Sequence, residues 1–246
     1  MGYRIIYGIN PLREALRAGR AIRNLYALKG RRIPPDIVSL IKKRGLKITI
    51  TYVERAFFSS FPKGHQGLAA EVTAGKEITI TDLFEISERR GEPPLYLMVD
   101  GVTDPHNLGA ILRTAEVAGV HGVVLEKRRV ATGETVSKAS AGAVEYLPIM
   151  RVPNLKHLLP EMKERGITVV GGEADAGEVL WDADIGGPLV LIVGSEGRGI
   201  RRTVREACDI LVKIPIYGHI NSLNVSVAAG ILLYEIRRQR NFSIMG

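Results

Sequence analysis

The chain has 246 residues, 24% charged and 46% hydrophobic, which suits one large or two modest domains with a substantial core and excludes a low-complexity polymer. Formal net charge is +8, and the excess sits at one end: residues 1–73 hold fourteen Lys/Arg against four Asp/Glu, residues 74–246 twenty against twenty-two. A single cysteine, Cys208, excludes an intrachain disulfide, and the lack of a leader-like N-terminus or of a run of about 18 apolar residues predicts a cytoplasmic chain with no membrane span.

Tyr7-Gly8-Ile9-Asn10-Pro11 predicts the start of a helix, with Asn10 suited to the N-cap and Pro11 to the first helical position. Leu12, Ala15 and Leu16 give it an apolar stripe, broken by Gly19. Leu25–Gly30 reads as a strand, Asp36–Arg44 as a helix ended by Gly45, and Lys47–Val53 and Gly67–Val72 as further strands. Residues 1–73 thus form a small α/β unit. Residues 74–94 contain one short helix (Asp82–Arg89), end in Gly91-Glu92-Pro93-Pro94, and read as a linker.

From residue 95 to 246 strands alternate with helices. Strands are expected near Leu95–Asp100, Gly122–Glu126, Pro148–Val152, Ile167–Gly171, Leu189–Gly194 and Ile210–Ile216. Helices are expected near Asn107–Ala118, Val136–Ala143, Leu155–Arg165, Ile200–Cys208 and Leu223–Gln239. Apolar runs such as Leu-Val-Leu-Ile-Val-Gly lack polar alternation, as a parallel sheet covered on both faces requires.

The common cofactor signatures are missing. Gly194-Ser195-Glu196-Gly197-Arg198-Gly199 follows a strand, but its spacing is not G-x-G-x-x-G. There is no Walker A lysine, no H-E-x-x-H, no Cys-x-x-Cys and no G-x-S-x-G, and the five histidines show no ligand spacing, so no metal is expected. The loops that remain lie after strands, where open α/β sheets place ligands.

Three such loops resemble the signature motifs of the SpoU branch of the SPOUT methyltransferases. The first is Asp104-Pro105-His106-Asn107-Leu108-Gly109 followed by Arg113-Thr114. The second is Val193-Gly194-Ser195-Glu196-Gly197-Arg198-Gly199, and the third Ile214-Pro215-Ile216 with Ser222-Leu223-Asn224-Val225-Ser226-Val227-Ala228. The N-terminal region is similar to the L30e/L7Ae-like substrate-binding domain of one subgroup, so the likeness covers nearly all of the chain. It implies an α/β catalytic domain with a six-stranded parallel sheet and a C-terminal trefoil knot, which departs from ordinary chain topology. It also implies S-adenosyl-L-methionine as cofactor, an obligate homodimer, and 2′-O-ribose methylation of a guanosine in large-subunit (23S) ribosomal RNA. The alternatives are a transfer-RNA or antibiotic-resistance ribosomal-RNA ribose methyltransferase of the same family, or a non-catalytic RNA-binding ribosome-assembly factor.

The residues can be weighed singly. Arg113 lies off the Leu108/Ile111/Leu112/Ala115 stripe, so periodicity leaves either a solvated arginine or a group that grips a phosphate bidentately. Asn107 sits at a helix start, where capping is its commonest role. Glu196 lies among three glycines, and Ser222 and Asn224 precede a long apolar helix, which again suits caps. The resemblance implies that Asn107, Arg113, Glu196, Ser222 and Asn224 form the catalytic set and that Gly194, Ile214 and Leu223 surround the cofactor's adenosine. Guanidinium stays protonated through the working range, so a phosphate oriented by Arg113 could relay the ribose proton in its place. The basic side chains Arg20, Arg23, Lys29, Arg31, Arg32, Lys42, Lys43 and Arg44 are expected to track RNA backbone, which raises affinity without reading sequence.

Overall fold

Four strands near the N-terminus form the first of two sheets in the computed structural model, which describes residues 3–61, 64–73, 78–128, 130 and 134–240. They are β1 (Tyr3–Tyr7), followed by α1 (Ile9–Arg17), β2 (Ile22–Leu28), then α2 (Pro35–Lys43), β3 (Thr49–Val53) and β4 (Leu68–Thr73). The spatial order is β1-β4-β2-β3, with β4 antiparallel to β1 and β2, and β3 parallel to β2. Leu12, Leu16, Leu25, Ile37 and Leu68 are fully buried together, each worth about 1.5–3 kcal/mol of burial. On the opposite face Tyr7, Phe58 and Ala69 pack with Phe57 and Phe61.

Two local features differ from the sequence expectation. Strand β1 is additional: it is a short edge strand whose only charge, Arg4, interrupts an otherwise apolar run. The cap of α1 is Gly8, not Asn10, because Gly8 takes φ 98° and turns strand into helix within one residue. Asn10 instead accepts a hydrogen bond from Arg13 at 2.7 Å.

The second unit comprises Glu77–Ala131 and Leu147–Gly246. It starts with α3 (Ile80–Arg90), opened by a Thr79/Asp82 capping box and ended by left-handed Gly91. There follow β5 (Leu95–Val99), α4 (Pro105–Val117) and β6 (Gly122–Glu126). The chain then contributes α5 (Glu134–Ala139) and a 3-10 turn (Ala143–Glu145) to the first unit. Next come β7 (Ile149–Val152), α6 (Leu159–Glu164), β8 (Thr168–Gly172), β9 (Glu178–Val179), β10 (Leu189–Val193), α7 (Arg202–Arg205), β11 (Ile210–Lys213) and α8 (Val225–Gln239). Every strand pair is parallel, in the order β7-β6-β5-β10-β8-β11-β9. Strands β5, β6 and β10 are buried along their whole length.

The sheet therefore has seven strands in place of the six expected. The extra one, β9, pairs only Glu178 and Val179 with β11, and two residues carry no readable periodicity. The predicted helix Leu155–Arg165 divides into a 3-10 turn (Leu155–Leu158) and α6, where Pro160 removes a donor. The predicted helix Ile200–Cys208 shrinks to the four residues of α7. Residues 74–77 of the expected linker lie outside the described residues, and its remainder includes α3, whose Leu83 and Phe84 pack in the second unit's core beside Tyr96 and Val124. Residues 134–146 group with the first unit instead of the domain expected for residues 95–246. There the Glu145 carboxylate, with no exposed side-chain surface, is held by Arg4 and by Arg20 Nε at 3.0 Å. Among the described residues no helix is long and apolar enough to cross a membrane.

Candidate active site

Because the strands of the second sheet are parallel, the residues that follow β5, β8, β10 and β11 emerge at one edge. Three loops on this edge are fixed by local chemistry. Asp104 is the N-cap of α4, accepting from the backbone N–H of Asn107 at 3.0 Å and of His106 at 3.3 Å. Asn107 is therefore in the first turn of the helix with its side chain free for other work, contrary to its reading as a cap. Asn224 is a cap: its Oδ1 accepts from the Ser226 N–H at 2.9 Å and from the Ser226 hydroxyl at 2.6 Å. Its Nδ2 then donates to Asn107 Oδ1 at 2.9 Å and to Glu196 Oε1 at 2.8 Å. One carboxamide thus uses both donors and its acceptor to join all three motif loops.

The loop after β10 requires its glycines. A Cβ on Gly194 would stand 2.0 Å from the Gly199 carbonyl carbon and 2.2 Å from the Ile200 nitrogen, so only glycine lets the loop fold back on its own stem. Ser195 and Gly199 exchange two backbone hydrogen bonds of 3.0 and 2.9 Å around left-handed Gly197. Past the loop, Arg201 fastens it to the sheet: its N–H and Nε donate to the buried Asp100 at 2.9 and 2.6 Å, and its other arm reaches buried Glu126. Glu173, directly after β8, accepts from the Ile200 N–H. Burial pushes the Glu173 carboxyl above the usual range, while that N–H and the Arg205 charge favour its anion.

These loops enclose a cavity of about 560 Å³, within the span of small-molecule and cofactor sites. Gly194, Glu196, Ile214, Ser222, Leu223 and Asn224 all line it. Asn107 is joined to it through Asn224. Ser222 makes no hydrogen bond among the described residues. Arg113 is not brought into the cavity: it is exposed on α4 and its side chain makes no hydrogen bond or ion pair among the described residues. Sequence reasoning missed Asp100, Glu126, Glu173 and Arg201. The first two carried a signal, a lone carboxylate ending an apolar strand.

The expected RNA-binding cations of the first unit divide. Arg20 is spent on Glu145, and Arg44 donates to the carbonyls of Leu16, Gly19 and Arg20 at 2.9, 3.0 and 3.3 Å, so both hold the fold together. Lys29 pairs with Glu54 at 2.6 Å, and Arg23 lies over the Tyr3 ring. The side chains of Arg31, Arg32, Lys42 and Lys43 make no hydrogen bond or ion pair among the described residues, and all four residues are exposed.

Comparison with known proteins matches these features. Residues 94–234 match the profile of the SpoU rRNA Methylase family, and residues 5–77 that described as RNA 2′-O ribose methyltransferase substrate binding. The chain is 45% identical over 242 residues to the Bacillus subtilis protein named "Putative TrmH family tRNA/rRNA methyltransferase YacO", covering 96% of each. It is 41% identical over 238 residues to the 23S rRNA (guanosine-2′-O-)-methyltransferase RlmB of Pseudomonas aeruginosa, again covering 96% of each. Among solved structures it resembles the SpoU methyltransferase AviRb of Streptomyces viridochromogenes in complex with AdoMet, with a TM-score of 0.84, 26% identity, and coverage of 98% of this chain and 92% of that one.

Proposed function

This chain belongs to the SpoU rRNA Methylase family, and on that footing we propose that it methylates the ribose 2′-oxygen of a guanosine in large-subunit (23S) ribosomal RNA. It is an S-adenosyl-L-methionine-dependent RNA methyltransferase. The observation that carries the reading is the Asn224 carboxamide, which ties Asn107 and Glu196 together at the edge of the cavity.

The cavity suits the cofactor. Ile214, Leu223 and Leu232 offer apolar surface for adenosine, and the backbone cradle at Gly194 would be filled by any Cβ. The cofactor supplies a methyl group already activated on a sulfonium, so the protein's task is alignment and exclusion of water. Asn224 holds the Asn107 and Glu196 side chains in fixed orientation, and Ser222 offers a hydroxyl beside them. Arg113, whose side chain has nothing to bind in its own chain among the described residues, grips an RNA phosphate and sets the ribose in line; the phosphate relays the hydroxyl proton to water. Arg201, pinned between Asp100 and Glu126, keeps the Gly194–Gly199 loop closed on the cavity.

The first unit binds the RNA, through Arg31, Arg32, Lys42 and Lys43 rather than through Arg20 or Arg44. The C-terminal trefoil knot and a homodimer complete the proposal, and the enzyme works in the cytoplasm. Val117 on α4 with Val227 and Tyr234 on α8 support the dimer: each is about half exposed or more, giving an apolar face on two packed helices. Residues 241–246 at the end of the expected knotted segment lie outside the described residues. The test is incubation with methyl-labelled cofactor and either ribosomal or transfer RNA. Label on a ribosomal-RNA ribose supports the reading; label on a base, or on transfer RNA alone, counts against it.

A further inference from the structure

One wall of the cavity carries a carboxylate of which the fold uses one oxygen and the catalytic set none. Glu173 lines the cavity, its Oε1 accepts the Ile200 N–H, and its Oε2 takes no hydrogen bond among the described residues. A Cβ on Gly199 would lie 2.5 Å from Oε2 and 2.7 Å from Oε1, so the loop is closed down tightly on this group. The other acids nearby are engaged. Asp175 is paired with Arg205 at 3.0 Å, Glu196 takes the Asn224 amide, and Asp100 is bound by Arg201.

We propose that Glu173 is a specificity-determining residue that favours the cationic methyl donor over its uncharged thioether product. The inference rests on the S-adenosylmethionine reading given above. S-adenosylmethionine and S-adenosylhomocysteine share the adenosine, ammonium and carboxylate groups and differ by one methyl and one positive charge. When the methyl passes to the ribose oxygen, the S–C electron pair stays on sulfur and the hydroxyl proton leaves, so the charge disappears. A carboxylate in a partly desolvated wall acts alike on the charges the two ligands share, so only the sulfonium charge enters the preference between them. Opposite charges within a few ångströms shift such equilibria by about tenfold or more. The spent cofactor is then the weaker ligand, which speeds its exchange.

The charged and titratable groups facing Glu173 are Asp175 on its own loop, Arg205 from α7, Cys208 just beyond α7, and Asp100 at the end of β5. Burial raises the Glu173 carboxyl, so mild acidification neutralises it before an ordinary glutamate.

The test is calorimetric titration of the full-length protein with each ligand, for wild type and Glu173→Gln, from about pH 8 down to about pH 5.5. Glutamine keeps an oxygen acceptor for the Ile200 N–H, so the loop should stay closed. The preference for S-adenosylmethionine should fall about tenfold in the variant, chiefly through weaker binding of the donor. In wild type the preference should shrink as pH falls, and in the variant it should be flat. Equal weakening of both ligands, or an unchanged preference, overturns the proposal. If the variant does not fold, wild type at about pH 8 decides, and binding of S-adenosylhomocysteine as tight as that of S-adenosylmethionine overturns it. Failure of wild type to bind either ligand is a different result, which removes the cofactor reading itself.

Discussion

Asn224 and Asn107 stand 117 positions apart in sequence and are joined by a 2.9 Å hydrogen bond from the Nδ2 of the first to the Oδ1 of the second. The same nitrogen donates to Glu196, and the oxygen of the same carboxamide caps α8. Site assembly and helix stability are thus separable at one residue. Aspartate keeps the cap but loses both donors and sets a carboxylate against Glu196. Asn224→Asp should therefore lower single-turnover methylation by about 100-fold, the cost of a misplaced reacting group. Its thermal unfolding should stay within about 1 kcal/mol of wild type. A large loss of stability would mean that the bonds to Asn107 and Glu196 serve the fold instead.

Gly194→Ala tests the loop after β10. Its methyl group would meet the Gly199–Ile200 backbone at 2.0–2.3 Å, and backbone cannot swing aside as a side chain can. The variant should lose about 1–3 kcal/mol of stability and most of its cofactor affinity, read by denaturant unfolding and by calorimetry.

Arg113→Ala should abolish turnover while leaving cofactor affinity nearly intact, because Arg113 is exposed and does not line the cavity. Stability should change by no more than about 0.5 kcal/mol. Collapse of cofactor binding alongside activity would show that the role assigned to Arg113 is wrong.

Much of this site was legible in the sequence, for identifiable reasons. Glycine, asparagine and serine after an apolar run are the residues a backbone needs in order to turn sharply or cap a helix, so Gly194, Ser222 and Asn224 announced their loops. The Asp100–Arg201–Glu126 clamp was not legible, since its members lie 101 and 75 positions apart and meet only once the sheet order is known. Asn107 reads as a cap in the sequence although Asp104, three residues earlier, is an equally good one, and only coordinates choose between them. Glu145 shows the same limit on a larger scale: nothing local tells a carboxylate in a 3-10 turn that its partners are Arg4 and Arg20.

In the first unit, RNA binding and folding should separate by residue. Replacing Arg31 and Arg32, or Lys42 and Lys43, with alanine should weaken RNA binding and flatten its salt dependence, by roughly one unit of slope for each phosphate no longer neutralised. Melting temperature should hold. Arg44→Ala should instead cost about 1–3 kcal/mol of stability, because three carbonyls around the end of α1 lose their donor. Filter binding over a range of salt, beside thermal melts, reads both effects.

Glu145→Gln should destabilise the first unit. Removing one partner of a buried ion pair costs about 3–5 kcal/mol, and partial exposure of Arg4 and Arg20 brings the expectation down to about 2 kcal/mol. Denaturant unfolding checks it, and a variant as stable as wild type would remove the clamp from the account.

The most direct test of the central claim is a map of 2′-O-methylated riboses across ribosomal and transfer RNA from cells with and without the gene. One guanosine ribose in large-subunit ribosomal RNA should lose its methyl group on deletion. It should regain it with the wild-type gene and not with Arg113→Ala. An unchanged map, or a loss confined to transfer RNA, would contradict the account.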